Sequence, residues 1–243
     1  MRPKLVFCGP TLGPGDRLQE VGLVFLPPAL QGSFLDAVRQ YDPQAILLID
    51  GGFQSQPAVR HKEILWTIGR GIPVLGAASM GALRAAELSP HMQGYGLIYR
   101  WYRRFQLTPD DAVAVLHGPA ELNFSPVTVS LVDLRRSFRT AFRRGKITYS
   151  TYRALLETAQ RLNFRDRNLA RIISEALPGA SGEILRAVGN LAICQQKRQD
   201  ALVALAALRS GQYAQPSMPL EMPMTRVFAA ELESASRPRT PLL

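Results

Sequence analysis

The chain has 243 residues, of which 47% are hydrophobic, and a formal net charge of +10. This composition predicts a folded protein with a sizeable core. The longest apolar run, residues 201–208, is far shorter than the roughly 20 residues that a membrane span needs. The first residues lack a secretory-signal pattern, and two cysteines are too few for a disulfide framework. We therefore expect a cytoplasmic protein that does not bind a membrane.

The positive charge is concentrated in the later part of the chain. Residues 131–212 carry 15 Lys and Arg against 6 Asp and Glu, whereas residues 1–130 carry 11 against 10. The excess is spread through amphipathic helical stretches that contain no nucleic-acid-binding motif. Docking of an acidic macromolecule is therefore favoured, and nucleic acid is an unlikely partner.

Four short apolar runs that end in turn residues predict buried strands. They cover residues 5–8, 45–49, 73–75 and 112–116, and helical stretches at 32–41, 58–71 and 79–88 lie between several of them. The runs are continuously apolar, which is typical of parallel strands covered on both faces. The pattern predicts an α/β fold: an open, mostly parallel sheet with helices on both faces.

From residue 129 the pattern becomes helical, with predicted helices at residues 129–144, 150–162, 164–177 and 181–209. This part predicts a small helical C-terminal domain. The segment after it is rich in Pro, Ser and Met without periodicity, so we expect it to be disordered or partly docked. The predicted units are an α/β core over residues 1–128, a helical domain over 129–211 and a tail over 212–243.

Candidate catalytic residues lie at or just after the ends of the predicted strands: Cys8, Asp50, Ser79 and His117. Ser79 stands at a strand-to-helix corner in Ala-Ala-Ser-Met-Gly, a variant of the nucleophile-elbow pattern, but a helix-capping role is equally compatible. Asp50, Ser79 and His117 could form a triad. Cys8 is either an activated thiolate or a small core residue. His117, at a turn, is either a general base or a structural histidine.

Further candidates lie near the same predicted edge. His61 and Lys62 begin a helix, and Arg84 and Glu87 are the charged residues of an otherwise apolar helix. Arg84 and Glu87 either pair with each other or hold an anionic group, with Glu87 or Glu121 orienting it. No group of residues has the spacing of a metal site, and no nucleotide-binding loop is present, so no metal and no cofactor are expected.

Several longer strings resemble the TfuA-like family over about residues 4–160. They are Asp50-Gly-Gly-Phe, Pro57-Ala-Val-Arg-His-Lys-Glu-Ile-Leu-Trp, Gly76-Ala-Ala-Ser-Met-Gly-Ala-Leu-Arg-Ala-Ala-Glu-Leu, Met92-Gln-Gly-Tyr-Gly, and Asp110-Asp-Ala-Val-Ala-Val-Leu-His-Gly-Pro-Ala-Glu. The chain departs from the family at Arg60, where Trp is usual, and in a less acidic stretch at residues 109–112. These departures concern the partner surface more than the chemistry.

The resemblance implies a partner of a YcaO enzyme in peptide backbone thioamidation. Such a protein would release sulfide from the thiocarboxylated C-terminus of a ThiS-like sulfur carrier and would engage the precursor peptide only indirectly. The alternative is a non-catalytic module that recruits or activates the YcaO enzyme.

A mechanism can be stated as a hypothesis on this basis. Arg84 and Lys62 would meet the anionic thiocarboxylate, and the backbone amides of Met80 and Gly81 would stabilise the oxyanion. The resemblance also covers His61, Glu87 and Glu121 as substrate-binding residues. The nucleophile would be Ser79, Cys8, or a water activated by His117.

Overall fold

A five-stranded sheet, parallel between every pair of neighbouring strands, forms the centre of the molecule. The computed structural model describes residues 1–54, 56–105, 107, 109–216, 220 and 225–234. Along the sheet the strand order is β2-β1-β3-β4-β5. The strands are β1 (Lys4–Phe7), β2 (Leu23–Leu26), β3 (Ala45–Leu48), β4 (Val74–Ala77) and β5 (Gln93–Tyr95). The predicted α/β class and parallel sheet are confirmed.

Both faces of the sheet are buried, which explains why its inner strands read as continuous apolar runs. In β1, Leu5 and Phe7 point to the face covered by the helices that follow β2, β3 and β4. Val6, from the same strand, points to the opposite face, where it packs with Ala204 and Leu205 of a helix close to the C-terminal end. Side chains alternate between faces along a strand, so each strand contributes to two apolar layers.

Ten α-helices are found within the described residues, and capping side chains fix the start of several. Ser130, Thr148, Asn168 and Ser181 each accept a hydrogen bond from a backbone N–H in the first turn of the helix that follows, as good N-cap residues do. The helices are α1 (Ser33–Tyr41), α2 (His61–Gly69), α3 (Met80–Glu87), α4 (Gly96–Arg103), α5 (Leu131–Arg143), α6 (Tyr149–Arg161), α7 (Leu169–Ala176), α8 (Gly182–Gly189), α9 (Gln196–Ser210) and α10 (Arg226–Ser234).

The predicted strand at residues 112–116 is wrong. Asp110–Val113 forms a 3₁₀ helix, and the chain then runs extended without joining the sheet. The apolar run reads as a strand because Ala112 and Val113 are buried, but the Val113 carbonyl accepts a side-chain hydrogen bond from Lys197 instead of a ladder bond. The edge strands β2 and β5, which the sequence did not reveal, occupy the positions beside β1 and β4.

Helix α9 covers the second face of the sheet, although it lies within the segment 129–211 that the sequence predicts as a helical domain. Ala201, Ala204 and Leu208 are fully buried against strand residues of that face. The long helix predicted over residues 181–209 is split into α8 and α9, and the stretch 164–177 is a 3₁₀ turn (Phe164–Asp166) followed by α7. The division into three units stays a prediction.

Part of the predicted tail is docked on the core. Phe228 of α10 is buried, Thr225 accepts a hydrogen bond from Lys62, and the Leu232 carbonyl accepts one from Arg39. Residues 217–219, 221–224 and 235–243 lie outside the described part of the chain. None of the described helices is both long and apolar enough to cross a membrane.

Candidate functional site

A cavity of about 490 Å³ opens at the carboxyl edge of the sheet. From β1 the chain moves first to β2 on one side and then to β3 on the other, so the strand order reverses between β1 and β3. Open parallel sheets bind ligands outside the strand ends at such a reversal. The lining comes from seven separate parts of the chain and includes Pro10, Pro28, Asp50, Gly51, Ser79, Met80, Val113, His117, Phe124 and Lys197.

Ser79 stands at a strained corner between β4 and α3. Its backbone N–H donates to the Ala77 carbonyl at 2.8 Å, and Ala78 between them has a φ of 66°. This hydrogen bond across one residue with positive φ is the rare, strained form of the γ-turn. Strained backbone of this kind is concentrated at functional sites. The Ser79 side chain is 9% exposed and lines the cavity, so the predicted corner is present.

Glycine at position 81 lets α3 lie directly against β3. A Cβ atom there would overlap the Leu48 carbonyl. The Gly81 N–H donates to the Ile49 carbonyl at 3.1 Å, so it is not free to bind an oxyanion, and that part of the prediction is wrong. The Met80 N–H makes no hydrogen bond within the described part of the chain, and Met80 lines the cavity. Met80 is therefore the backbone donor available at this helix N-terminus.

Asp50 holds the loop that follows β1. Its Oδ2 accepts hydrogen bonds from the Gly9 N–H at 2.8 Å and the Thr11 N–H at 3.1 Å, and its Oδ1 accepts from the Thr11 hydroxyl at 2.6 Å. The carboxylate is 2% exposed. Among the described residues it makes no hydrogen bond to Ser79 or His117, so the structure does not form the predicted triad. Asp50 instead sets the shape of one cavity wall.

His117 lies on an exposed turn at the mouth of the cavity. Its Nδ1 lies 2.7 Å from the Gly118 carbonyl, which can only accept, so Nδ1 carries the proton and Nε2 is the basic nitrogen of the neutral ring. The segment before it is anchored by Arg167, which is 1% exposed and donates to the Asp111 carbonyl and carboxylate. Asp111 thus fixes the wall that carries His117.

Lys197, at the start of α9, is a cavity residue that sequence reasoning missed. It is 5% exposed, and its Nζ donates to the Val113 carbonyl at 2.8 Å. Ser79 Oγ donates to the same carbonyl at 3.5 Å. In the sequence, Lys197 stands among polar residues, Gln195-Gln-Lys-Arg198, and so has the pattern of a solvent-exposed helix residue. Only the packing of α9 on the sheet brings it to the cavity.

Cys8 belongs to the apolar core and does not line the cavity. The side chain is 1% exposed and packs with strand and α9 residues such as Leu47 and Leu205. Burial raises the pKa of the Cys8 thiol to about 12. Because the thiolate is the nucleophilic form, this environment favours the reading of Cys8 as a small core residue.

His61, Arg84 and Glu87 form a separate cluster outside the cavity lining. Glu87 Oε2 lies 2.8 Å from His61 Nε2 and 2.6 Å from Arg84 Nη1, and Arg84 Nε donates to the Val59 carbonyl at 3.1 Å. Burial alone would raise the pKa of Glu87, but the hydrogen bonds from His61 and Arg84 hold it below its ordinary value. Arg84 and Glu87 pair with each other, which is the first of the two interpretations of these charges given above. Neither residue lines the cavity.

The remaining predicted binding residues also lie elsewhere. Lys62 donates to Thr225 at 2.8 Å, which places it under the docked tail. Glu121 is in an exposed 3₁₀ turn (Ala120–Leu122) and, like Lys62, is absent from the cavity lining. Arg84 and Lys62 therefore do not provide the cavity with the anion-binding charge expected of them. No three His, Cys, Asp or Glu side chains among the described residues are grouped so that they could hold a metal ion.

A family model described as TfuA-like protein matches residues 50–168, a span that contains Asp50, Ser79 and His117. The chain belongs to the TfuA-like family, which associates it with thioamidation in the context of YcaO enzymes. No curated protein matches the chain.

Proposed function

We propose that the protein hydrolyses the thiocarboxylated C-terminus of a ThiS-like sulfur carrier and supplies the released hydrosulfide to a YcaO enzyme. The observation that carries the proposal is that Ser79, Met80 and His117 line one cavity, together with a Met80 N–H that has no hydrogen-bond partner among the described residues. A volume of about 490 Å³ suits the end of a peptide tail and excludes a folded domain.

Each of these groups has a role in the proposed reaction. Ser79 Oγ attacks the thiocarboxylate carbon, and His117 Nε2 takes the hydroxyl proton. The Met80 N–H stabilises the oxygen that becomes negatively charged. The C–S bond then breaks, and the proton from His117 leaves with the sulfur as hydrosulfide.

Water completes the reaction. It attacks the Ser79 ester, and His117 takes its proton and returns it to Ser79 Oγ. Over both steps one thiocarboxylate and one water give one carboxylate and one hydrogen sulfide, so no oxidant or reductant is needed. The Ser79–His117 hydrogen bond would form with the tail in place, since catalytic contacts tighten in the substrate complex.

The test is hydrosulfide release from purified thiocarboxylated carrier by this protein alone. We expect Ser79→Ala and His117→Ala each to lower the rate by at least about 100-fold, the scale of general acid–base catalysis. His91→Ala, at a solvent-exposed histidine outside the cavity lining, is the matched control and should leave the rate unchanged. Full activity in Ser79→Ala with loss in His117→Ala would assign the attack to water.

A second candidate function is a non-catalytic module that activates the YcaO enzyme. The observation that favours it is an exposed cluster on α5 and α6, where Phe142, Tyr149 and Tyr152 contact one another beside Arg139 and Arg143. Aromatic and arginine side chains dominate binding hot spots. If this function is the correct one, Ser79→Ala will stimulate the YcaO enzyme fully when sulfide is added directly, and the protein alone will release none.

A further inference from the structure

Lys197 is a buried cation whose ammonium makes one hydrogen bond to the described residues. An ammonium group has three N–H donors, and the Nζ of Lys197 uses one of them on the Val113 carbonyl. No ion pair joins it to a carboxylate of any described residue. Asp133, its acidic neighbour, receives the backbone N–H of Lys197 at 3.1 Å and the Ser130 hydroxyl at 2.7 Å, and not the ammonium.

Asp133 and Lys197 attract each other electrostatically, but no carboxylate bonds the ammonium directly among the described residues. A buried charge without a directly bonded counter-ion is costly, so such a group normally binds one. Lys197 lines the cavity, and the other acidic groups there do not neutralise it. Both oxygens of Asp50 are occupied by the β1 loop, and Asp110 lies in the exposed 3₁₀ turn. Two N–H groups of Lys197 are therefore available to an anion in the cavity.

The position of Lys197 relative to Ser79 indicates which anion this is. Lys197 Nζ and Ser79 Oγ both donate to the Val113 carbonyl, although one comes from α9 and the other from the β4–α3 corner. An acyl group bound at Ser79 thus has the ammonium beside it. Arg84 and Lys62, the cations expected from the sequence to bind this anion, are held elsewhere by Glu87 and Thr225.

We propose that Lys197 binds the free carboxylate or thiocarboxylate at the end of a peptide tail in this cavity. The inference rests on the proposed function, to which it adds the anion-binding residue and the requirement for a free C-terminus. A tail ending in a carboxamide carries no negative charge and is rejected. Specificity for a charged terminus follows because the oxygen of a neutral carboxamide can accept a hydrogen bond from the buried ammonium but cannot neutralise its charge.

The test uses three peptides with the carrier's C-terminal sequence, ending in carboxylate, thiocarboxylate or carboxamide. Binding is measured by fluorescence anisotropy in the Ser79→Ala background, so that no peptide is consumed. We expect the two charged peptides to bind at least about tenfold more tightly than the carboxamide, the scale of a desolvated ion pair. Lys197→Met should remove this difference, and Lys146→Met, at an exposed lysine outside the cavity, should preserve it.

The outcomes separate this inference from the proposed function. Lys197-dependent binding of the charged peptides without any hydrosulfide release in the wild type would contradict the hydrolase function and support the anion site. If Lys197→Met releases hydrosulfide with the same KM as wild type, the anion site is contradicted and the hydrolase function is not. Equal weakening of all three peptides would indicate a merely structural role for Lys197, and no binding of any peptide would overturn both proposals.

Discussion

Substitutions of Asp50 can distinguish whether this residue positions the loop after β1 or takes part in catalysis. The carboxylate accepts hydrogen bonds from two buried backbone N–H groups and one hydroxyl. In Asp50→Ala both amides lose their acceptor, at about 1–3 kcal/mol for each buried donor left unpaired. The Thr11 hydroxyl can turn to another acceptor, so the expected loss of unfolding free energy is about 2–6 kcal/mol. That is a large part of the 5–15 kcal/mol typical of a folded domain.

Asp50→Asn is the matched control because it keeps the shape of the side chain. An asparagine oxygen at the Oδ2 position still accepts from Gly9 and Thr11, and its NH₂ group can donate to the Thr11 hydroxyl oxygen. We expect a loss of only about 1 kcal/mol, the scale of weakening one set of charged hydrogen bonds. Urea unfolding followed by tryptophan fluorescence measures both variants, and hydrosulfide release measures their activity.

The two roles predict opposite results for Asp50→Asn. If Asp50 only positions the loop, the asparagine variant retains hydrosulfide release within a few-fold of wild type. A triad aspartate replaced by asparagine lowers kcat by about 10⁴-fold while the fold stays intact. A folded Asp50→Asn protein with a loss of that size would refute the positioning role, as would an Asp50→Ala protein as stable as wild type.

Three further predictions concern the surroundings of the cavity. The pKa of Glu87 is lowered in the folded state, so its ion pair stabilises the protein fully at a pH above the ordinary pKa of 4.5, and this stabilisation is lost as the pH falls through the lowered pKa. Glu87→Gln should therefore have a smaller unfolding free energy than wild type at pH 7, and the difference should disappear in acid. Ellman's reagent at pH 8 should titrate Cys194 in the native protein and Cys8 only after unfolding, since burial raises the pKa of Cys8 to about 12; rapid reaction of both thiols would contradict this. Gly81→Ala should lose about 3 kcal/mol or more of unfolding free energy, because its methyl group meets backbone atoms of β3, whereas Gly189→Ala meets no atom within 4 Å and should be neutral or slightly stabilising.

The sequence predicted the parts of the site that depend on local pattern. Ser79 was found because a buried strand, a run of small residues and a helix follow one another, and this pattern fixes the corner. Asp50 was placed at the correct edge because it directly follows a buried strand. Its role was misjudged because the hydrogen bonds that occupy its carboxylate come from residues 9–11, far away in the chain.

The parts that were missed depend on tertiary contacts without a local signal. Lys197 reaches the cavity only because α9 packs across the sheet, which its own neighbours in sequence do not reveal. The run at residues 112–116 has the composition of a strand, but Lys197 bonds the Val113 carbonyl within it, and Arg167 bonds the Asp111 carbonyl just before it. The sequence of a segment does not show whether its backbone carbonyls accept hydrogen bonds from side chains or from a neighbouring strand.

The most direct test of the proposed hydrolysis follows the carrier in ¹⁸O-labelled water, with this protein present and the YcaO enzyme absent. The proposed hydrolysis adds one heavy oxygen to the terminal carboxylate of each carrier and releases an equal amount of hydrosulfide. With Ser79→Ala we expect neither the labelled carboxylate nor the hydrosulfide. A thiocarboxylate that survives unchanged until the YcaO enzyme is added would contradict the proposed hydrolysis.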